Sequence, residues 1–430
     1  NTRSLFADPA DLLGNGTIRL SGAVLDADLV FDRPDHLTHT MSFGSGGAMT
    51  VSPDGTGALG AGFRGAGTLR IANGCAVAST TGELGYASGS TGEAVVSGPG
   101  SSWTISGRLH VGDDGNGVLK VLDGARVRSI GAYMCLSPGT RATAVVSGPG
   151  STWDNAGRLT VGYYHYLHNG VGNLTIADGA KITASELVVI PQSTVTLYVS
   201  GNDMLVLGDA YGTGRLACDG QMRVFADAFL PAGEYTPISG YTGKEVYFES
   251  WNRLTMGGTW DDLARPRALI VSAPVEASAS AVVPATSAQR LVITDPLSRQ
   301  KVGASFALLD PNSTFSASWM GEADLAGLAL LPDFGGEVLA AWDFDTNITG
   351  REVLLSFDIG TGVQGIEIWH LDDGLWTQFT GDYNYDSNGI LRFATSEFSG
   401  YAVTTSVPEP SLAWVGLLTL MATRRSRRRS

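Results

Sequence analysis

The chain has 430 residues, of which 57 are glycine, and only 16 per cent are charged, against about 7 per cent glycine and about 25 per cent charged residues in average proteins. The net charge of −14 argues against a general nucleic-acid binder. The glycines follow no three-residue period, which excludes collagen, and their density disfavours long helices, so the composition predicts strands joined by tight turns.

An internal repeat dominates residues 44 to 190. The segment AVVSGPGSSW, from Ala94 to Trp103, recurs as AVVSGPGSTW from Ala144 to Trp153, fifty positions later. The match continues into a Gly-Arg-Leu-x-Val-Gly run and then a Gly-x-Leu-x-Val/Ile run in both copies, and a more divergent copy precedes them. Self-similarity at a fixed period is the sequence signature of repeat architectures.

Within each unit, short strands of alternating side chains are separated by glycine-rich turns. Equivalent Asx-Gly pairs stand at Asn73-Gly74, Asp123-Gly124 and Asp178-Gly179, and such pairs supply the positive φ that a tight turn needs. Regular short strands without helices between them favour a β-solenoid, in which a fifty-residue unit holds about two coils of about 20–25 residues each. A β-sandwich or propeller is the alternative, since turn spacing alone does not fix the coil direction.

These units resemble the autotransporter- and PEP-CTERM-associated repeat, which has a Val-Ser-Gly-x-Gly-Ser-x-Trp run followed by Gly-x-Leu-x-Val-Gly and Gly-x-Leu-x-Ile-x-x-Gly. The resemblance covers roughly residues 44 to 190. It implies a right-handed parallel β-helix, a handedness that spacing alone leaves open.

Beyond the repeat the sequence predicts four further segments. Residues 193–272 resemble the closing coils and cap of a solenoid domain after the β-helix of 1–192, and 273–288 read as a linker rich in small residues and proline. Seven short strands within 289–405 suggest an antiparallel β-sandwich module, and 406–430 form a short hydrophobic tail. The predicted fold class is therefore all-β.

The tail contains three parts in order: Val-Pro-Glu-Pro, an apolar run from Leu412 to Ala422, and an arginine cluster. Eleven apolar residues are too short to span a membrane, which takes about twenty, but they suit a transient stop with the arginines on the cytoplasmic side. This arrangement resembles the PEP-CTERM sorting signal that exosortase, a membrane transpeptidase, recognises and cleaves. The residues assigned to the signal are Val407, Pro408, Glu409, Pro410, Arg424, Arg425, Arg427, Arg428 and Arg429. Without the five arginines the balance is 23 basic against 42 acidic residues, or −19.

Exported proteins carry a signal peptide, and the sequence begins at Asn1 without a methionine or an apolar signal region. We expect such a segment to have been removed or to lie outside this sequence.

Four short motifs resemble ligand-binding sites, but a structural role is favoured for each of them. The GxGxxG match from Gly60 to Gly65 lies on a solenoid turn followed by a strand, so a dinucleotide site is not expected. A metal site at the pairs His36/His39 or His165/His168 would need converging third and fourth ligands, and loop decoration is favoured. The run from Asp382 to Gly389 resembles a calcium loop, but a hairpin turn is favoured because Phe393 stands where glutamate belongs.

Cysteines and acidic pairs are interpreted in the same way. Cys75, Cys135 and Cys218 are too few and too far apart for a disulfide framework or a zinc site, and buried free thiols are expected. The pairs Asp113-Asp114, Asp261-Asp262 and Asp372-Asp373 lie mostly beside turn glycines, where carboxylates solvate a turn. No catalytic residue, cofactor or metal is predicted, and the protein is not expected to be an enzyme.

Tryptophans are interpreted by position. Trp103 and Trp153 recur at equivalent places, which packing explains. In the C-terminal module a set of aromatic residues fits either a core or a platform for sugar rings, with a core favoured: Trp369, Trp376, Tyr383 and Tyr385.

Together these features predict an exported structural or adhesive protein at the cell surface, outer membrane or extracellular matrix. Its expected partners are an exosortase-type transpeptidase, extracellular polysaccharide and, transiently, the inner membrane through the tail, with no nucleic acid. The alternatives are a secreted polysaccharide-degrading lyase or hydrolase and a carbohydrate-binding surface protein. Three or more charged side chains converging in a groove would favour the enzyme.

Overall fold

The computed structural model describes residues 3–163, 170–208, 214–240, 252–261, 268–286, 289–307, 309–331 and 336–406. These residues form strands, turns and two short 3-10 helices, Pro9–Asp11 and Leu328–Leu330, and contain no α-helix. Two compact units are present, the first formed by residues up to Val275 together with short segments near 290 and 305, and the second by the remainder. The predicted all-β class, a parallel solenoid followed by an antiparallel sandwich, is confirmed.

Three parallel sheets make up the solenoid. Sheet 1 contains Leu5–Ala7, Ala23–Leu25, Leu59–Ala61, Gly82–Leu84, Arg108–Val111, Gly131–Met134, Arg158–Val161, Glu186–Val189 and Arg215–Cys218. Sheet 2 contains Asp28–Phe31, Ala66–Ile71, Thr91–Ser97, Asn116–Leu122, Arg141–Ser147, Val171–Ile176, Thr194–Tyr198, Gln221–Phe225 and Asn252–Met256. Sheet 3 contains Ala76–Ser79, Ser102–Ile105, Arg126–Ser129, Thr152–Asn155, Lys181–Ala184, Leu205–Leu207 and Ile238–Ser239.

The register between coils explains the fifty-residue period. In sheet 2, Val96 pairs with Val121 and Val121 pairs with Val146, so each coil takes half of a fifty-residue unit. The predicted two coils per unit are confirmed. Side chains of this column are fully buried, and Ile71 and Ile176 extend it on either side. Inward side chains of neighbouring coils thus pack on one another, which is how a solenoid forms its core.

The Asx-Gly turns have the backbone geometry that the sequence predicts. Asn73, Asp123 and Asp178 have φ values of 56°, 55° and 49°, in the left-handed region that few residues other than glycine, asparagine and aspartate tolerate. The backbone N–H of Gly124 then donates a hydrogen bond to the Ser151 hydroxyl of the next coil at 2.9 Å. Each turn is therefore tied to its neighbour by a side chain of the repeat.

Residues 193–272, predicted as closing coils and a cap, carry further solenoid strands and one small antiparallel sheet. That sheet contains Gly233–Tyr235, Leu269–Val271 and Thr259–Trp260. Arg290 is buried in this unit, and its guanidinium donates hydrogen bonds to the carbonyls of Asp227 at 2.8 Å and Ser272 at 3.0 Å. Near the other end, Thr17–Leu20, Gly47–Val51 and His39–Phe43 form another three-stranded sheet.

Two six-stranded sheets form the C-terminal sandwich. Sheet 4 contains Val275–Ser278, Arg290–Thr294, Lys301–Ser305, Val353–Asp358, Ile390–Thr395 and Tyr383–Tyr385. Sheet 5 contains Val283–Pro284, Thr314–Trp319, Val338–Thr346, Gly400–Thr405, Ile366–Asp372 and Leu375–Gln378, all in antiparallel pairs. Two of these strands, Val275–Ser278 and Val283–Pro284, lie within the segment predicted as a linker.

Aromatic rings join the two sheets of the sandwich. Phe357 and Phe393 of sheet 4 stack on each other, with ring centroids 5.6 Å apart. Phe344 and Tyr401 of sheet 5 contact them at 6.1 Å and 5.1 Å, respectively. These stacked, edge-to-face and tilted contacts add to the area that the rings bury and define the core between the sheets.

Candidate functional site

The predicted sorting-signal residues lie outside the described residues, which end at 406. The same holds for His165 and His168. The assignment of these positions therefore stays a prediction. Within the described part of the chain, no helix is both long enough and apolar enough to cross a bilayer.

A row of outward-facing residues runs across sheet 1. Gly60 pairs with Glu83, Glu83 with His110, and His110 with Tyr133, each one coil after the last. Leu84 and Val111 follow in the same strands and point into the core, because successive side chains of a strand alternate between the two faces. The strand order thus places a carboxylate and an imidazole side by side on the solenoid surface.

Glu83, His110 and Asp113 converge at this place. The Nδ1 atom of His110 lies 2.9 Å from Oε2 of Glu83, and one ligand atom from each of the three side chains lies within 4.8 Å of the others. Asp113 reaches the pair from the turn after the strand, where its backbone N–H donates to the Gly85 carbonyl at 3.0 Å. The side chains of Glu83 and His110 are 9 and 20 per cent exposed, so the cluster is largely desolvated but open to solvent on one side.

The electrostatics of the cluster couple its three members. Burial lowers the pKa of His110, but the hydrogen bond and charge of Glu83 and the charge of Asp113 outweigh it, so this pKa lies above its ordinary value. Burial also raises the pKa of the Asp113 carboxyl; His110 opposes that shift, whereas Glu83 and Asp114 add to it. The site therefore concentrates negative charge around one imidazole.

Aromatic side chains lie on the solenoid coils of the cluster and on the coil that follows. The His110 ring lies 6.0 Å from that of Tyr133 on the next coil. Three residues after Glu83, the ring of Tyr86 lies 4.8 Å from Phe6 and 5.9 Å from Phe63. This surface of the solenoid thus combines rings with titratable groups, a combination frequent at ligand sites.

The sandwich contains a second candidate site, an open cavity of about 450 Å³. Its lining residues are Ser318, Trp319, Met320, Asp324, Gly327, Asp343, Leu371, Gly374 and Trp376. Trp319 is half-buried and meets Trp342 edge to face at 5.5 Å, whereas Trp376 is buried in the wall. Burial raises the pKa of Asp343, and the charges of Asp345 and Asp324 raise it further.

The four aromatic residues singled out in the sequence do not form one platform. Trp369 and Trp376 are buried in a cluster with Leu328 and Ala402, which confirms the favoured core interpretation for both. Tyr383 is exposed, and the hydroxyl of Tyr385 donates to the Gly360 carbonyl at 2.6 Å. Only Trp376 of the four lines the cavity, where Trp319 accompanies it.

The calcium-like loop is a hairpin turn, as predicted. Tyr383–Tyr385 and Ile390–Thr395 pair in antiparallel fashion around it. The Asp386 carboxylate accepts hydrogen bonds from the backbone N–H groups of Asn388 at 2.9 Å and Ile390 at 3.0 Å, and forms a 2.5 Å ion pair with Arg392. These oxygens are therefore already engaged within the turn.

Other sequence interpretations are also confirmed. The GxGxxG run begins in a sheet 1 strand and leads into Ala66–Ile71. All three cysteines are free and buried. Trp103 and Trp153 are fully buried in the solenoid core. The Nδ1 atom of His39 accepts a hydrogen bond from the backbone N–H of Val30 at 3.2 Å, and whether His36 and His39 bind a metal stays a prediction.

Sequence reasoning missed Glu83 and His110 as functional candidates and assigned Asp113 to a solvated turn. Glu83 and His110 are 27 residues apart, which is the length of one coil. A comparison of residues at the spacing of one coil would therefore have paired them, whereas the fifty-residue repeat does not. It also missed Asp324 and Asp343, which no spacing in the sequence connects.

No family model matches this chain, and no curated protein and no solved structure is significantly similar to it.

Proposed function

We propose that this protein is an exported, non-enzymatic surface or matrix protein that adheres to saccharide through its C-terminal sandwich. The observation that carries the proposal is the cavity where Trp319 and Trp376 lie beside the carboxylates of Asp324 and Asp343. The half-buried indole of Trp319 offers a flat apolar surface to the C–H face of a sugar ring, and carboxylates accept hydrogen bonds from the hydroxyl groups of the sugar.

The charge of the cavity selects among saccharides. Asp324 and Asp343 both line the cavity and are exposed, and each raises the cost of bringing another negative charge near. Uronate-containing or sulfated glycans would therefore be repelled, and we expect the ligand to be a neutral saccharide. The net charge of −14 supports the same preference at longer range.

The solenoid suits a structural role. Its outer surface carries ion pairs between successive coils, such as Arg158 with Glu186 at 2.6 Å and Arg215 with Glu186 at 3.0 Å. Exposed pairs of this kind contribute little stability individually, so the buried columns between coils provide most of it. Such a stack presents attached modules without needing chemistry of its own.

Binding of neutral glycans by the full chain tests the adhesive proposal. A panel of neutral and acidic oligosaccharides is screened on an array, and hits are titrated by calorimetry. Asp343→Asn and Trp319→Ala should weaken binding at least about tenfold, about 1.4 kcal/mol. The matched control is Asp358→Asn, an exposed aspartate at the end of Val353–Asp358 in sheet 4 and outside the cavity lining. Absence of binding, or equal loss in the control, would count against the cavity.

The resemblance of the tail to a PEP-CTERM signal supports export and sorting. We propose that exosortase recognises Pro408, Glu409 and Pro410 and that cleavage removes the segment after them. Intact mass is compared in cells with and without exosortase, with Pro408→Ala as the blocked substrate. A tail that stays uncleaved in exosortase-containing cells would overturn this part of the proposal.

A polysaccharide-degrading enzyme is the second candidate, because three titratable side chains converge at Glu83, His110 and Asp113. A carboxylate beside an imidazole is an arrangement suited to general acid–base work. Incubation with polysaccharides should then release new reducing or unsaturated ends, and Glu83→Gln should abolish their release. If neither product forms with any neutral or acidic polymer, the enzyme candidate fails.

A further inference from the structure

We propose that Glu83, His110 and Asp113 bind a divalent transition-metal ion on the outer face of sheet 1. The proposal does not rest on saccharide binding by the sandwich. The first support is geometric. Two neighbouring coils, and the turn after one of them, supply two carboxylates and an imidazole. One ligand atom from each of these three side chains lies within 4.8 Å of the other two.

Burial separates this group from the acidic clusters common on protein surfaces. The Glu83 side chain is 9 per cent exposed and stands in the middle of a parallel sheet. Desolvating a carboxylate costs several kcal/mol unless a partner compensates, and two carboxylates share a single imidazole here, which leaves the group with a net negative charge. A divalent cation balances that charge.

The donor set decides the class of metal. Calcium and magnesium prefer six or more oxygen ligands including waters, whereas an imidazole nitrogen suits zinc, copper, nickel or iron. Three protein ligands are the number found at zinc sites that keep one position for water or another molecule. The group therefore fits a zinc-like ion with an open coordination position facing solvent.

The distances require only a local adjustment. Metal–ligand bonds of about 2.0–2.2 Å place two ligands of one ion at most about 4.4 Å apart, against the observed limit of 4.8 Å. Glu83 and His110 are already held at 2.9 Å by the hydrogen bond that the ion would replace. Asp113 is half-buried in a turn, so we expect its side chain to rotate toward the pair.

Metal binding to the full chain tests the proposal. Protein without a polyhistidine tag is stripped with a chelator and titrated with zinc by calorimetry and with cobalt by absorption spectroscopy, whose bands report nitrogen ligation. We expect one site that is weakened at least tenfold by His110→Ala and by Asp113→Asn, and a metal-dependent rise in the unfolding midpoint that both variants lose.

Two control variants place the site. His39→Gln changes a half-buried histidine outside the cluster, and a double His165→Gln, His168→Gln variant removes the other His-x-x-His pair; both should bind metal as the wild type does. The proposal is overturned if the wild type binds no tighter than His110→Ala, or if either control loses the site. Asp113→Asn keeps the size of a half-buried turn side chain, so its result stands even if His110→Ala folds poorly. Asp343→Asn should leave metal binding unchanged, which separates this outcome from the saccharide test.

Discussion

The indole Nε1 of Trp103 donates a hydrogen bond to the hydroxyl of Ser79, 3.0 Å away on the preceding coil. Trp153 and Ser129, fifty positions later, form the same pair at 3.3 Å. All four residues are buried, and a buried indole N–H needs an acceptor. The repeat therefore specifies a tryptophan together with its serine partner in the preceding coil.

Ser79→Ala should lower the free energy of unfolding by about 1–3 kcal/mol, because it leaves the buried N–H of Trp103 without its acceptor. In a Trp103→Phe background the same change should cost less, since no indole N–H remains. Urea denaturation of the four proteins of this double-mutant cycle measures the coupling. Ser88→Ala, an exposed turn position, is the control. An equal cost of Ser79→Ala in both backgrounds would contradict the pairing.

Gly124→Ala should destabilise the solenoid by about 1–2 kcal/mol, the cost of placing an L-residue in the left-handed region. Gly124 has a φ of 85° in the turn after Asp123, and the nearest atom to an added Cβ is 3.5 Å away, so backbone strain rather than a clash sets the cost. Gly131→Ala is the matched control, because its φ lies outside that region and an added Cβ meets nothing nearer than 3.8 Å. Thermal unfolding compares the two, and equal midpoints would contradict the strain argument.

Much of the solenoid was predictable from sequence because its units repeat. The Asx-Gly turns, the inward valines and Trp153 each recur fifty residues from an equivalent position, and recurrence makes a structural constraint visible. The handedness of the coil and the strand order of the sandwich have no such signal.

The candidate sites were not predictable for the same physical reason. Glu83 has Tyr133 at its equivalent position, and His110 has Gly60 and Thr160, so the cluster breaks the repeat instead of following it. Its members meet only because parallel pairing brings consecutive coils into register. In the sandwich, Trp319 and Trp376 lie on strands separated by three others in the order of sheet 5, which the sequence does not reveal.

The three cysteines should be unreactive toward a thiol reagent at pH 8 in the folded protein and fully reactive after unfolding. Burial raises the pKa of Cys135 to about 11 and that of Cys218 to about 12, and it also raises the pKa of Cys75. A reagent that reacts with the thiolate therefore finds little thiolate at this pH and cannot reach the buried sulfur atoms. Rapid labelling of any cysteine without unfolding would contradict the buried sites.

The same shifts predict an alkaline loss of stability. Above the ordinary thiol pKa of 9.0 the unfolded chain releases protons that the folded protein retains up to about 11 at Cys135 and about 12 at Cys218. The unfolding free energy should therefore fall as the pH rises through this window. Cys218→Ala should reduce the slope of that fall, measured by urea denaturation at stepped pH, and an unchanged slope would contradict the assignment.

Asp386→Ala should destabilise the sandwich by about 3–5 kcal/mol, the usual cost of breaking a buried ion pair and leaving one charge unpaired. Asp386 and Arg392 are 4 and 8 per cent exposed and joined at 2.5 Å, and the Asn384 side-chain oxygen accepts a further hydrogen bond from Arg392 at 3.2 Å. Asp382→Ala, an exposed position before the same hairpin, should change the unfolding midpoint little.

Calcium provides the second part of this prediction. Because the oxygens of Asp386 and Asn384 are engaged by Arg392 and by the turn backbone, adding calcium should not raise the unfolding midpoint of the wild type. Removing the charge of Arg392 together with that of Asp386, in an Asp386→Ala, Arg392→Met variant, should recover part of the lost stability, since no unpaired buried charge remains. A calcium-dependent rise that Asp386→Ala abolishes would show a metal loop here and contradict the hairpin ion pair.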